Sequence, residues 1–108
     1  MHRTLSLILL LISTSLTHAQ GAGDRQRGLQ FATRVCAECH ALLPGDTVSP
    51  RRESPPFAAI ANSPGMTGMA LAVFFQTPHK SMPDLIIARE DRDNVIAYIL
   101  SLQDLATK

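Results

Sequence analysis

Val35-Cys36-Ala37-Glu38-Cys39-His40 ends a stretch of helical periodicity and carries both cysteines of the chain, and its pattern decides the fold. From Asp24 to Val35, residues Gly28, Phe31, Ala32 and Val35 recur at helical spacing, with Arg25, Arg27, Gln30 and Arg34 between them. This spacing predicts a first helix that runs into Cys36. In an oxidising compartment the default for two cysteines is a disulfide. A bridge across only two residues closes a tiny loop, however, and constrains little of the unfolded chain. Zinc wants four ligands, and beyond the first nineteen residues the chain offers Cys36, Cys39, His40 and His79, a set unlike the usual paired spacings. A thioredoxin-like redox pair belongs in a βαβ setting, which this chain lacks.

Beyond the motif, Leu43-Pro44-Gly45-Asp46 is a strong turn signal. Thr47 to Pro56 holds Pro50, Pro55 and Pro56 with Arg51, Arg52 and Glu53, a composition that resists helix and sheet interior and predicts a surface loop. Phe57 to Ala61 suits one short helical turn, and Pro64-Gly65 breaks it before a second helix from about Thr67 to Gln76. Pro78 and Pro83 bracket His79, Lys80, Ser81 and Met82, so Thr77 to Asp84 reads as loop. Between Arg89 and Leu105 the positions Val95, Ile96, Ile99 and Leu102, with Tyr98 among them, form a helical stripe opposite Arg92, Asp93 and Gln103. No β alternation of useful length and no internal repeat interrupts this pattern. The fold class is therefore all-α, with three main helices joined by loops rich in Pro and Gly.

The first nineteen residues have the features of an export signal: Arg3 near the amino terminus, an apolar run from Leu5 to Leu16 broken only by small hydroxyl residues, and Ala19 as a small cleavage residue. The run is short of the ~20 apolar residues a membrane helix needs. Residues 1–19 are thus expected to be a signal peptide and residues 20–108 one domain. If the leader stays uncleaved, it tethers that domain to the membrane. Without residues 1–19 the chain keeps nine basic and nine acidic residues, a formal charge of zero that leaves no basic footprint for nucleic acid. Its 89 residues, with a hydrophobic content of 45% overall, lie near the size at which a core alone gives marginal stability and an added staple helps.

Cys36-Ala37-Glu38-Cys39-His40 matches the C-x-x-C-H signature of covalent haem attachment. In such a site the two thiols bond the vinyl groups, and the adjacent imidazole of His40 is held where a neutral nitrogen ligates iron. A sixth ligand must come from elsewhere. Met82, in Ser81-Met82-Pro83 on a proline-held loop, is the expected thioether donor, because a core methionine normally sits in a periodic element. Met66 and Met69, at the start of the second helix, are expected to pack, and His79 is the remaining rival ligand. Arg51 and Arg52 are expected to be solvated.

Together, three blocks resemble class I cytochromes c over most of residues 20–108. They are Gly23-Asp24 with Gly28 and Phe31 leading into the C-x-x-C-H motif, Pro55-Pro56-Phe57, and Met82-Pro83 through to Ala97-Tyr98-Ile99-Leu100-Ser101-Leu102. The resemblance implies the cytochrome c fold: three main helices and short turns around one haem c, bonded through Cys36 and Cys39, with iron held by His40 and Met82. It implies that the first and last helices cross near Gly28, with Phe31 and Tyr98 as aromatic neighbours. It implies that the Pro55 carbonyl, beside Phe57, receives the second N–H of the proximal His40 and fixes its tautomer. Two positions depart from the family. Ala32 stands where the family often has its helix-crossing aromatic residue, and Ala88 stands where it often has a serine cap.

The expected function is single-electron transfer without substrate chemistry, in a respiratory or periplasmic chain, by a monomer whose partners are a redox donor and a redox acceptor. Leu42, Phe57, Ile60, Leu71 and Phe75 are expected to wall the haem. Two alternatives stay open: a dedicated cytochrome subunit of an exported dehydrogenase or oxidase, membrane-associated through that complex, and an open-site haem protein that binds ligands where Met82 does not.

Overall fold

In the computed structural model, which describes residues 23–77, 79, 82 and 85–104, the start of the first helix is tied to the middle of the last by one side chain. The Asp24 N–H donates to Asn94 Oδ1 at 2.8 Å. Asp24 in turn caps α1 (Arg25–Val35), its side chain accepting from the Arg27 N–H at 2.9 Å. This satisfies one of the donors that every helix start leaves orphaned. Helix α4 (Arg89–Ser101) crosses α1 where Gly28 faces Asn94: a Cβ at Gly28 would fall on the Asn94 carbonyl and meet Tyr98 Cβ at 3.0 Å. Only a glycine lets the two backbones come this close. Ala32, one turn further along α1, is fully buried, as are Val95 and Ile99 to within 2%. In this tight crossing a small residue replaces the family's aromatic side chain.

Between these helices lie α2 (Phe57–Ala61) and α3 (Gly68–Phe75), each packed on α4. Thr67 caps α3, its hydroxyl accepting from the Ala70 N–H at 3.1 Å. Gly65, with φ of 74°, makes the left-handed turn between the two helices. The described residues contain no strand, so the all-α expectation holds. None of their helices is long and apolar enough to cross a membrane. The proposed signal peptide, residues 1–19, lies outside the described residues.

The structure corrects three expectations. The ring partner of Tyr98 is Phe57, with centroids 6.4 Å apart and planes tilted by 50°. Phe31 instead lies under the Arg34 guanidinium at 5.9 Å, because Ala32 holds the inward position at the crossing. Helix α4 ends at Ser101, short of Leu105. The chain beyond it is diverted into tertiary hydrogen bonds: Asn62 Nδ2 donates to the Leu102 carbonyl (3.1 Å), Gln103 Nε2 to the Met66 carbonyl (3.1 Å) and the Asp104 N–H to Asn62 Oδ1 (2.6 Å). Met69, expected to pack, is 80% exposed on the outer side of α3. Ala88 leaves the start of α4 without a side-chain cap, while Glu90 and Asp91 put negative charge in its first turn.

Candidate functional site

Cys36 is the C-cap of α1, and the chain turns tightly at once: the Cys39 and His40 N–H groups both donate to the Cys36 carbonyl, at 3.1 and 2.9 Å. This turn delivers both thiols and the imidazole to one cleft of about 510 Å³, which Pro55, Phe57 and Met82 also line. The cysteines are not bonded to each other. Burial, and to a lesser extent the neighbouring Cys39, pushes the Cys36 thiol up to about 11. At neutral pH it is a thiol, not the low-pKa thiolate on which a thiol–disulfide catalyst depends. The described residues hold no group of three or more His, Cys, Asp or Glu placed to grip a metal ion on their own.

His40 is fixed through its second nitrogen. Its Nδ1–H donates to the Pro55 carbonyl at 2.7 Å, and because that carbonyl can only accept, the proton sits on Nδ1 and the lone pair is left on Nε2. Pro55 precedes Pro56 and is therefore held extended, with no N–H of its own to divert the loop. The loop folds back onto the motif, the Arg51 N–H donating to the Cys39 carbonyl (3.3 Å) and the Phe57 N–H to the Ala41 carbonyl (2.9 Å). The Phe57 ring lies 5.4 Å from the imidazole of His40 and passes the contact on to Tyr98. Tyr98 hydroxyl donates to the Leu42 carbonyl at 2.6 Å, which anchors α4 to the segment that follows the motif.

Of the residues expected to wall the site, Phe57, Ile60, Leu71 and Phe75 line the cleft. Leu42 is buried behind it and contributes its carbonyl instead. Val35, Phe74, Leu85 and Ile99 also line it and were missed in the sequence. Ile99 lies on the α4 stripe and Phe74 one turn after Leu71, which were the available signals; Leu85 follows the proline-bracketed loop and offered none. Met82 and His79 are both half-buried on the cleft, and so is Met66, whereas Met69 points away from the core. Arg51 and Arg52 are exposed, and the acidic side chains that line the cleft are Glu38 and Glu53. A cleft with apolar walls, two unpaired thiols, one free imidazole nitrogen and a thioether fits a haem: a flat apolar ring takes the walls, and its iron takes nitrogen and sulfur donors.

Tyr98 makes the fold sensitive to alkali. Burial first, and the Asp46 carboxylate second, raise its hydroxyl above the ordinary tyrosine value. A group whose folded pKa is raised contributes stability that is complete below the unfolded pKa, near pH 10 for tyrosine, and is lost as pH climbs through the folded value. Replacing Tyr98 with Phe is expected to flatten the fall in stability above about pH 10. At neutral pH the same change should cost about 1–3 kcal/mol, because the Leu42 carbonyl loses its donor. Chemical denaturation of the two proteins across that pH range checks both effects.

No family model matches the chain, and no solved structure matches it. Among curated proteins it is similar to cytochrome c-552 of Bradyrhizobium diazoefficiens, with 34% identity over 101 residues that cover 94% of each chain. Since the likeness runs through almost the full length of both proteins and the described residues form helices and no strand, the chain belongs to the small c-type cytochromes, the haem-bearing electron-transfer proteins.

Proposed function

We propose that this chain is an exported single-electron carrier whose one haem c is bonded through Cys36 and Cys39 and ligated by His40 and Met82. The observation that carries the proposal is the 2.7 Å hydrogen bond from His40 Nδ1–H to the Pro55 carbonyl, on the cleft that both thiols and Met82 line. Haem iron supplies a one-electron couple when bound there. The rest of the work belongs to the chain. Cys36 and Cys39 hold the ring by covalent bonds, so it stays at any dilution. Pro55 keeps the imidazole in the tautomer whose Nε2 can ligate and strengthens it as a donor. Phe57, Ile60, Leu71 and Ile99 exclude water and lower the local dielectric, which together with a thioether ligand favours the reduced state. Met82 closes the sixth position, so small ligands have no entry.

The leader-like residues 1–19 support export to a bacterial periplasm, where the partners are a donor and an acceptor redox protein and the carrier works as a monomer. A dedicated subunit of an exported complex is the alternative. It is favoured by Met69 and Val73, large apolar side chains that are 80% and 58% exposed on α3. Sedimentation of the native protein separates the two: a lone chain supports the carrier, a larger assembly the subunit.

A Met82→Ala variant tests the ligation. The oxidised wild type is expected to show the far-red sulfur-to-iron band and the variant to lack it. The reduction potential should fall by on the order of 0.1 V, since axial ligands set haem potentials over about 0.8 V. A band that survives in the variant assigns the thioether to another methionine and overturns the Met82 assignment.

A further inference from the structure

His79 shares the cleft with Met82 and stands only three residues before it in the chain. It is half-buried, with its ring 5.3 Å from that of Phe74 and tilted by 41°, and Phe74 is itself part of the cleft wall. Among the described residues its ring nitrogens make no hydrogen bond or ion pair, in contrast with His40, whose Nδ1 is committed to Pro55. An imidazole held against an aromatic ring on the wall of the proposed haem cleft, with neither nitrogen bonded to the protein among the described residues, has a lone pair to offer a metal.

We propose that His79 is a reserve axial ligand, which takes the sixth position on the iron when the Met82 thioether leaves it. The proposal rests on the assignment of Cys36, Cys39, His40 and Met82 made above. Both donors line the same cleft and stand three residues apart in the sequence, so exchanging one for the other asks nothing of the α1–α4 crossing. The exchange is a substitution of one neutral two-electron donor for another and moves no electron or proton. Two consequences follow for the carrier. The sixth position stays shut to dioxygen and carbon monoxide, and an imidazole in place of a thioether lowers the potential, so the exchanged form holds its iron ferric.

The test uses the full haem-loaded chain as wild type, Met82→Ala and Met82→Ala/His79→Ala. The single variant is expected to give a low-spin ferric spectrum with the electron paramagnetic resonance of two axial imidazoles. The double variant should be high-spin, and its ferrous form should bind carbon monoxide at least about tenfold faster, as expected if His79 closes the position nine-tenths of the time. Free imidazole should return the double variant to low spin, which shows that its cleft is intact. A high-spin single variant that binds carbon monoxide as fast as the double overturns the proposal, and so does a bis-imidazole signature that persists after His79 is removed. Absence of the far-red band from the wild type is a separate failure: it removes the Met82 ligation on which the proposal stands.

Discussion

Replacing Cys36 and Cys39 together by alanine is expected to give a chain whose haem is extracted completely by acidified acetone and which does not hold its fold once emptied. Two magnitudes lead to this expectation. The cleft they guard is about 510 Å³. At ~24 cal/mol per Å³ of unfilled core, leaving it empty carries a penalty of up to ~12 kcal/mol, an upper bound because an open cleft partly refills with water or collapses. The whole stability of a domain this size is ~5–15 kcal/mol, so the two are of the same order. A haem held only by its ligands would stabilise by mass action and be lost on dilution, whereas thioether bonds make its contribution permanent. Far-ultraviolet circular dichroism and thermal melting of the extracted variant check the outcome. A cooperative melt at the wild-type temperature would show that the fold is independent of the haem.

Gly28→Ala is expected to be the most damaging single change away from the haem cleft. The added methyl falls on the Asn94 backbone carbonyl and presses on Tyr98 Cβ, and no flexible side chain is there to yield. Forcing the helices apart costs about 3 kcal/mol, the upper end of what overpacking ordinarily costs. For a domain of this length that corresponds to a fall in Tm of roughly 15 °C. Separation at this point also strains the Asp24–Asn94 hydrogen bond, so the start of α1 should fray as well. Gly45→Ala is the control: nothing lies within 4 Å of its Cβ, and its effect should stay within about 0.5 kcal/mol. Equal melting temperatures for Gly28→Ala and wild type would contradict the close crossing.

Where local chemistry dominates, the amino-acid sequence is a sufficient guide. The first helix and α3 begin one residue after the expected Asp24 and Thr67, which cap them, Phe57 to Ala61 forms the expected short turn, and the C-x-x-C-H spacing places two thiols and an imidazole on one turn. What stayed hidden depends on packing between distant segments. Helix α3 reads Gly-Met-Ala-Leu-Ala-Val-Phe-Phe, apolar all round, so periodicity could not tell that Met69 faces out. The stripe of α4 runs past Ser101, but Gln103 and Asp104 turn away because Met66 and Asn62 offer them hydrogen bonds. Tyr98 meets Phe57 because Ala32 leaves no aromatic ring at the crossing. The cleft itself gathers side chains from each of α1 to α4 and from the three segments between them, and its walls are contiguous only in space.

The central claim is that one haem is bonded to this chain through Cys36 and Cys39, and mass spectrometry of the intact protein tests it most directly. Matured with haem-attachment machinery and then denatured, the chain should remain heavier by one haem, carry one iron before denaturation, and present no thiol to an alkylating reagent. A denatured chain of bare polypeptide mass, with two alkylatable thiols or a Cys36–Cys39 disulfide, would contradict it.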